Sequence, residues 1–536
     1  MFWVDEIVDD ILKKIPKESN ACYLITDGFT PSGNAHVGSL RGPLLHDLIR
    51  RGLDGQSRQA IFQLDYEDFD PMDGLPVGID QSFLKYMGIP LCNIPAPDGH
   101  SKSFAEQFGQ EFEKVLRDLG VSFRLVKTSE LYKEGKFNKS IKIVLDHAGE
   151  IRQIYKEVSG SDKGSDWYPF QVVCPNCGKI GTTKVTGWDG RIVKFKCVEN
   201  LVEWAKGCGE EGEISPFDGN GKLPWKVEWP AKWYELGTDI EGEGKDHFVA
   251  GGSRDIGDAI FRKIFSAKGR SASGGKIKPP YDIHYEHILV GGKKMASSKG
   301  LGVTSKDMTD FLPANILRFL FVRTRAKRAI EFKPEGDTIP LLYDEYDRTS
   351  ALFQKDPQND IARAFYFTQI DPSTPLGAGQ PKYLLRFSKI AYMLQMPRSD
   401  IFEYAKQEKG SDLTEIEKQE IENRISIAKK WLEKFAPENY KFTILDKIPD
   451  VSLSEKQKEF LKNIFQLYES KEKWSGEDLH KEIHNIKKDL KIDPRQAFAA
   501  IYQIFIGKDS GPQAGWLLAS LDRDFVIKRL EEVANA

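Results

Sequence analysis

The sequence predicts an α/β body built on a parallel sheet, interrupted by a cysteine-bearing insertion and followed by an all-α C-terminal region. Three observations carry this. First, "ACYLITDG" at residues 21–28 is a short apolar run ending in glycine; Leu44, Leu45, Leu48 and Ile49 follow at helical spacing; and "QAIFQLDYEDFD" is a second apolar run entering an acidic turn. Strand, glycine turn, helix and strand is the repeating unit of a parallel α/β sheet. Second, residues 151–225 break that rhythm with lysine, glycine and four of the six cysteines. Third, beyond about residue 310 the pattern is mainly helical, as in "PANILRFLFVRTR", "ENRISIAKKWLEKFA", "SEKQKEFLKNIFQLYESKEKW" and "GWLLASLDRDFVIKRLEEVANA".

Taken in order, "MFWVDEIVDDILKK" is acidic and amphipathic and reads as a surface helix, not a signal peptide. Residues 21–28 read as a buried strand. The helix after it begins between His36 and Gly42, because Pro43 is tolerated only in a first turn, where no backbone donor is needed. Residues 226–303 resume apolar and glycine-rich segments, and some two hundred helical residues follow. The division expected is 1–150 and 226–310 for the two halves of the α/β domain, 151–225 for the insertion, 311–350 for a linker and 351–536 for the helical domain. A net charge of −3 and a pI near 6.4 give no global nucleic-acid signal, so any such binding must come from a local patch. No apolar run approaches the ~20 residues of a membrane helix, and the expectation is a cytoplasmic protein with no membrane partner.

Two stretches carry chemistry. "TPSGNAHVGSLRG", residues 30–42, places a histidine among small residues where a strand turns into a helix. Ligands of parallel sheets bind there, and free backbone donors attract phosphate. Alone, the stretch reads equally well as a tight turn with a capping histidine. "GGKKMASSKG", residues 291–300, is a cationic loop suited to a polyphosphate, and alone it reads as solvated surface. The pair, some 250 residues apart, is the rare feature. A third pattern is Cys174, Cys177, Cys197 and Cys208, spaced Cys-x2-Cys-x19-Cys-x10-Cys with glycine after Cys177 and Cys208. Four thiolates close a tetrahedral structural zinc site with no position left open for substrate. Cys22 and Cys92 read as packed small residues.

The two stretches resemble the "HIGH" and "KMSKS" signatures of class I aminoacyl-tRNA synthetases. "WPAKWYELGTDIEGEGKDHFVAGGS", residues 229–253, is similar to the lysyl members of that class, and the resemblance runs from "MFWVDEI" to "GWLLASLDRDFVIKRL". Ser39 stands where the first signature has its second histidine, and Ser297 where the second has its middle lysine. The resemblance implies a Rossmann-like catalytic core split by a zinc-bearing insertion, a stem-contact segment and a helical anticodon domain. It implies ATP-dependent ligation of L-lysine to tRNA(Lys) through lysyl-adenylate, with Mg2+ accompanying ATP, in a monomer.

By the same resemblance, His36, Gly38, Lys294 and Lys299 are the catalytic candidates. Pro31, Ser32, Gly33, Ser39, Gly251, Gly252, Met295, Ser297 and Ser298 join His36 and Gly38 around ATP. Gly28, Thr30, Trp233, His247 and Tyr285 hold lysine. Asp27, Asp65, Asp68 and Asp246 are candidate counter-charges for its ammonium, which a protein desolvates only against a carboxylate or an aromatic face. In the helical half, the run "NIKKDLKIDPR" fits phosphate contact, and Phe365, Tyr366, Tyr392 and Trp431 are candidates to stack on bases. Two rivals remain: a class I enzyme with another amino acid or acceptor, and a non-catalytic RNA-binding paralogue.

Overall fold

The computed structural model describes residues 1–266, 278–291, 293–294, 303–371, 383–397 and 399–534, with backbone alone at 293–294 and 534. The chain forms two compact units, Met1–Phe332 with Thr349–Ser373, and Lys333–Arg348 with Thr374–Ala536. Among the described residues no helix is long and apolar enough to cross a membrane.

The first unit is organised by a parallel sheet. α1 (Trp3–Lys14) precedes β1 (Tyr23–Phe29), α2 (Arg41–Gly55), β2 (Ala60–Tyr66), α3 (Phe104–Asp118) and β3 (Arg124–Lys127). The helices α4 (Thr128–Lys133), α5 (Asn138–Asp146) and α6 (Ala148–Ser159) lead to an insertion of short strands: β4 (Gln171–Val172), β5 (Thr183–Trp188), β6 (Val193–Cys197), β7 (Glu211–Ile214) and β8 (Gly221–Lys222). The chain returns through α7 (Trp225–Leu236), β9 (Ile240–Gly244), α8 (Ser253–Ile260) and β10 (Tyr281–Tyr285). Strand order is β10-β9-β1-β2-β3, every neighbouring pair parallel. This is the Rossmann-like α/β core expected. From β1 the chain moves first to β2 on one side and later to β9 on the other, so the loops leaving β1 and β9 diverge and open a crevice at the carboxyl end of the sheet.

A smaller sheet follows, made of β11 (Ile288–Val290), β12 (Lys293–Lys294) and β13 (Ile330–Phe332), with α9 (Ser305–Phe311) and α10 (Ala314–Val322) before its last strand. α11 (Thr338–Lys355) contains residues of both units, and α12 (Asp360–Thr368) completes the first.

α2 explains how the first signature is held. The expected helix starts at Arg41, after a 3-10 turn at Val37–Leu40, with Pro43 in its first turn. Its apolar Leu44, Leu45, Leu48 and Ile49 are buried, and so are Arg41, His46, Asp47 and Arg51. Each buried charge is compensated, as it must be. Asp47 accepts from Arg50 Nη2 at 3.0 Å, is ion-paired with Arg51, whose Nε lies 2.8 Å away, and also pairs with Arg318 of α10. Arg318 in turn donates to Phe367 O of α12 at 2.7 Å. Arg41 caps the end of α10, donating to Phe321 O at 3.2 Å and Arg325 O at 3.0 Å; burial pulls its pKa down to about 10.

The second unit is helical: α13 (Phe387–Met393), α14 (Ile401–Lys409), α15 (Glu415–Lys434), α16 (Glu455–Glu469), α17 (Gly476–Asp489), α18 (Pro494–Ile506), α19 (Ala514–Ala519) and α20 (Arg523–Ala534). The starts are written in the sequence. Thr414 with Glu417 and Ser454 with Gln457 make capping boxes, and Asp493 caps a helix whose first residue is Pro494. Its core gathers Phe460, Ile464, Leu479, Ile501, Phe505 and Leu517.

Candidate active site

At the carboxyl end of the sheet the first signature meets the segment that follows the second. Residues 30–36 leave β1, and their backbone is joined to the segment that follows the second signature. His36 and Thr304 form an antiparallel bridge, Val37 N donates to Val303 O at 3.0 Å, and Ser305 N donates to Ala35 O at 2.8 Å. The His36 ring folds back over Gly38. A β-carbon at position 38 would lie 2.6 Å from Cε1 and 2.7 Å from Nδ1 of that ring, so only glycine permits the arrangement. The same point is 3.8 Å from Ile288 at the start of β11. Lys294 is on β12, whose backbone pairs with β11, Leu289 opposite Lys294. Met295, Ser297, Ser298 and Lys299 lie outside the described residues.

The remaining predicted residues fall on α7, at the ends of β1 and β10, and in the loops that follow β1 and β9. Pro31, Ser32, Gly33 and Ser39 share the loop with His36. Gly28 and Thr30 bracket the end of β1, and the Thr30 hydroxyl donates to Asp70 at 3.3 Å. Asp70 is paired with the buried Lys222 of β8, so the insertion's last strand anchors this loop. Tyr285 pairs in register with Gly244 at the ends of β10 and β9. Its hydroxyl would be 3.0 Å from a β-carbon at Gly42, a point the Asp27 carboxylate also occupies. Gly251 and Gly252 immediately precede α8. His247 packs at a tilt against Trp225 and edge-on to Trp229, at centroid distances of 5.4 and 5.7 Å. Trp233 is further in, 2% exposed, in contact with Trp229 and Phe261.

All four aspartates named as counter-charges are already engaged. Asp27 faces His46 Nδ1 at 3.1 Å, while His46 Nε2 accepts from Gly242 N at 2.7 Å. The accepting Nε2 leaves the proton on Nδ1, so His46 is a neutral donor that orients Asp27. Asp68 accepts from Ser129 N at 2.8 Å and from its hydroxyl at 2.6 Å. Asp65 accepts from Gln63 Nε2 at 2.6 Å. Asp246 is exposed, with His287 Nε2 3.2 Å away.

Sequence reasoning missed Glu241 and Glu243, two buried carboxyls on one face of β9. Glu241 accepts from Trp229 Nε1 at 2.9 Å and from Trp233 Nε1. Glu243 pairs with Arg254 at 2.9 Å through Oε1, and its buried Oε2 has no hydrogen-bond partner among the described residues. Burial, reinforced by Glu241, pushes Glu243 well above the ordinary carboxyl range.

Asp65 supplies a pH test. Burial raises its pKa to about 7, with Lys232 opposing and Glu67 reinforcing the shift. The folded chain then holds a proton that an unfolded aspartate sheds near ~4, so this group's contribution to stability is lost as pH rises toward 7. Asp65→Asn is expected to flatten the fall in Tm between pH 5 and 8. Parallel curves for the two proteins would show that Asp65 is ionised in the fold.

A family model described as tRNA synthetases class I (K) matches residues 1–370, and one described as an anticodon binding domain matches residues 402–534. A lysine–tRNA ligase of Methanosarcina barkeri is 34% identical over 553 residues, covering 99% of this chain and 98% of that protein. The chain belongs to the class I lysyl-tRNA synthetase family. Lysine–tRNA ligases of Thermoplasma volcanium and Archaeoglobus fulgidus are each 32% identical, over 537 and 532 residues, with 99% of both chains covered in each case.

This family member also carries a cysteine cluster built to hold a metal ion. Cys174 follows β4, Cys177 sits three residues on, Cys197 ends β6 and Cys208 precedes β7. The four sulfurs lie within 4.8 Å of one another, with Cys174–Cys208 at 3.6 Å and Cys177–Cys197 at 3.8 Å. Four sulfurs around a zinc with bonds of about 2.3 Å stand roughly 3.8 Å apart, so the spacing fits. Gly178 and Gly209 take φ of +72° and +84°, the left-handed turns that knuckles need after Cys177 and Cys208. Cys22 and Cys92 are half-buried and lie outside the cluster.

Proposed function

We propose that the chain joins L-lysine to tRNA(Lys) in two steps, using ATP with its accompanying Mg2+. In the first, a lysine carboxylate oxygen bonds to the α-phosphorus, the bond from that phosphorus to the bridging oxygen breaks, and pyrophosphate leaves. In the second, a terminal ribose hydroxyl of the tRNA takes the lysyl group, giving up its proton, and AMP leaves. The observation that carries this reading is the bridge between His36 and Thr304, which closes the first signature onto the flank of the second at the sheet's crevice. Such chemistry asks a protein for positioning and charge more than for acid–base work.

His36 and the amides around Gly38 meet the α-phosphate. Lys294 and Lys299 close over the pyrophosphate with Met295, Ser297 and Ser298, while Pro31, Ser32, Gly33, Ser39, Gly251 and Gly252 frame the nucleotide. Gly28 and Thr30 take the backbone end of lysine, and Trp233, His247 and Tyr285 surround its side chain. Glu243 meets the ammonium, since an arriving cation compensates its unpartnered oxygen. Zinc, held by Cys174, Cys177, Cys197 and Cys208, supplies structural rigidity to the insertion. The helical unit receives the anticodon. All of these residues come from one chain, which is compatible with a working monomer.

Incubation with labelled lysine, ATP and tRNA tests the proposal: lysine becomes acid-precipitable on tRNA and is released by mild base. No tRNA-linked lysine under any condition contradicts it. A narrower test is Gly38→Ala. The added carbon displaces the His36 ring, and adenylate formation falls about 10²-fold, the usual consequence of a misplacement near 1 Å. Tm is expected to stay unchanged, and an unimpaired rate would remove His36 from the phosphate.

A further inference from the structure

Lys222 is a lysine taken out of water beside the loop that leaves β1. It stands on β8, the last strand of the insertion, and its side chain is 2% exposed. The strand is pressed close to its partner: a β-carbon at the neighbouring Gly221 would lie 2.3 Å from Gln171 O of β4. The Lys222 ammonium pairs with Asp70 Oδ1 and, at 3.0 Å, with Glu228 Oε2 of α7. Glu228 in turn accepts from the Tyr132 hydroxyl at 2.7 Å. Burial alone would pull the Lys222 pKa down; Asp70, Glu228 and Glu67 more than reverse this and hold it above the ordinary lysine range. Well-packed apolar side chains stabilise such a place about as well as an ion pair does, so stability alone does not call for these charges.

What the charges impose is geometry, and it centres on the Asp70 carboxylate. Its two oxygens go to different parts of the chain: Oδ1 to Lys222, and Oδ2 to the Thr30 hydroxyl 3.3 Å away. The Asp70 backbone is held as well, its N–H donating to Glu67 O at 3.2 Å and its carbonyl accepting from Leu91 N at 2.9 Å. A carboxylate paired with an ammonium has acceptors only, so Thr30 is the donor and its lone pairs point away from Asp70. A substrate ammonium has donors only and needs such lone pairs. We propose that Lys222 and Asp70 are positioning residues for the α-ammonium of the substrate lysine: Lys222 orients the carboxylate, and the carboxylate turns the Thr30 hydroxyl so that its oxygen accepts from the substrate. The inference rests on the ligase reading, in which Thr30 takes the backbone end of lysine, and deepens it. Neither residue touches the substrate; both act through Thr30. The insertion thereby takes part in amino-acid selection.

The test is ATP–pyrophosphate exchange with tRNA present, paired with inhibition by 6-aminohexanoate, which is lysine without its α-ammonium. Asp70→Asn keeps the shape of the side chain. Lys222 draws the amide oxygen, which leaves the amide N–H to donate into the Thr30 oxygen and occupy it. KM for lysine is expected to rise about ten-fold or more, the loss that goes with a hydrogen bond to a charged group, while the inhibition constant of 6-aminohexanoate holds. Thr30→Val is expected to give the same split, and the double variant no more than either alone. Lys222→Met frees the carboxylate to turn and is expected to show it too. Should that variant melt low from the charge left on Glu228, Asp70→Asn decides, because it keeps the Lys222–Glu228 pair. A merely structural role would weaken lysine and 6-aminohexanoate alike, and that result overturns the proposal. An unchanged KM for lysine overturns it as well. If the unaltered enzyme shows no lysine-dependent exchange, the ligase reading fails first and takes this inference with it.

Discussion

Cys174→Ser, or chelation of the zinc proposed for this site, is expected to unfold the insertion and lower the melting temperature of the whole first unit. Cys174 and Cys197 are fully buried, and their neighbours Val185, Val193 and Phe195 pack in one continuous core with Ile151, Ile154 and Phe261. A tetrathiolate site supplies about 10 kcal/mol or more to a small metal-dependent fold, more than the short strands β4–β8 secure by themselves. The consequence reaches the crevice, because Lys222 of β8 holds Asp70 and, through it, Thr30. The expected result is one zinc per chain by elemental analysis, a lower Tm on chelation and a parallel loss of charging. Native protein without bound metal, melting at the same temperature as zinc-treated protein, contradicts the site.

The second large effect is on rate. His36→Ala is expected to slow adenylate formation by ~10²–10³, or about 3–4 kcal/mol, since a donor that acts mainly on the transition state carries that much. The ring is half-buried, and it rests on Gly38 rather than supporting a core, so its removal leaves Tm within a degree or two. Pre-steady-state adenylate formation at saturating ATP checks it. A variant with full rate assigns His36 to the turn, the alternative that "TPSGNAHVGSLRG" alone leaves open.

Much of the fold was legible because it is local. β1, α2 and β2 declare themselves by apolar periodicity, the position of Pro43 and the glycine turn, and the helical unit by its capping boxes. α7 was hidden: Pro230 stands inside it, and a proline there reads as a break. β9, "IEGEG", reads as polar turn, yet both its glutamates are buried because β9 is an interior strand of the sheet. With no apolar pattern to mark the strand, nothing singles out Glu243, whereas the four aspartates stand beside recognised motifs. The His36–Thr304 bridge spans residues that only tertiary structure joins. Among the proposed base-stacking aromatics, Phe365 and Trp431 are core residues, 2% and 0% exposed, and Tyr366 belongs with Phe365 to the first unit. Tyr392 alone of the four lines a cavity of the helical unit. Side-chain type fixed the candidates, and burial sorted them.

The central claim, a class I ligase that activates lysine, is tested most directly by ATP–pyrophosphate exchange with each of the twenty amino acids, run with and without total tRNA. Label should enter ATP with lysine and with no other amino acid. Exchange with a different amino acid would keep the fold and chemistry but overturn the pocket around Glu243, Trp233, His247 and Tyr285. No exchange in any mixture would contradict catalysis and leave a chain that only binds RNA.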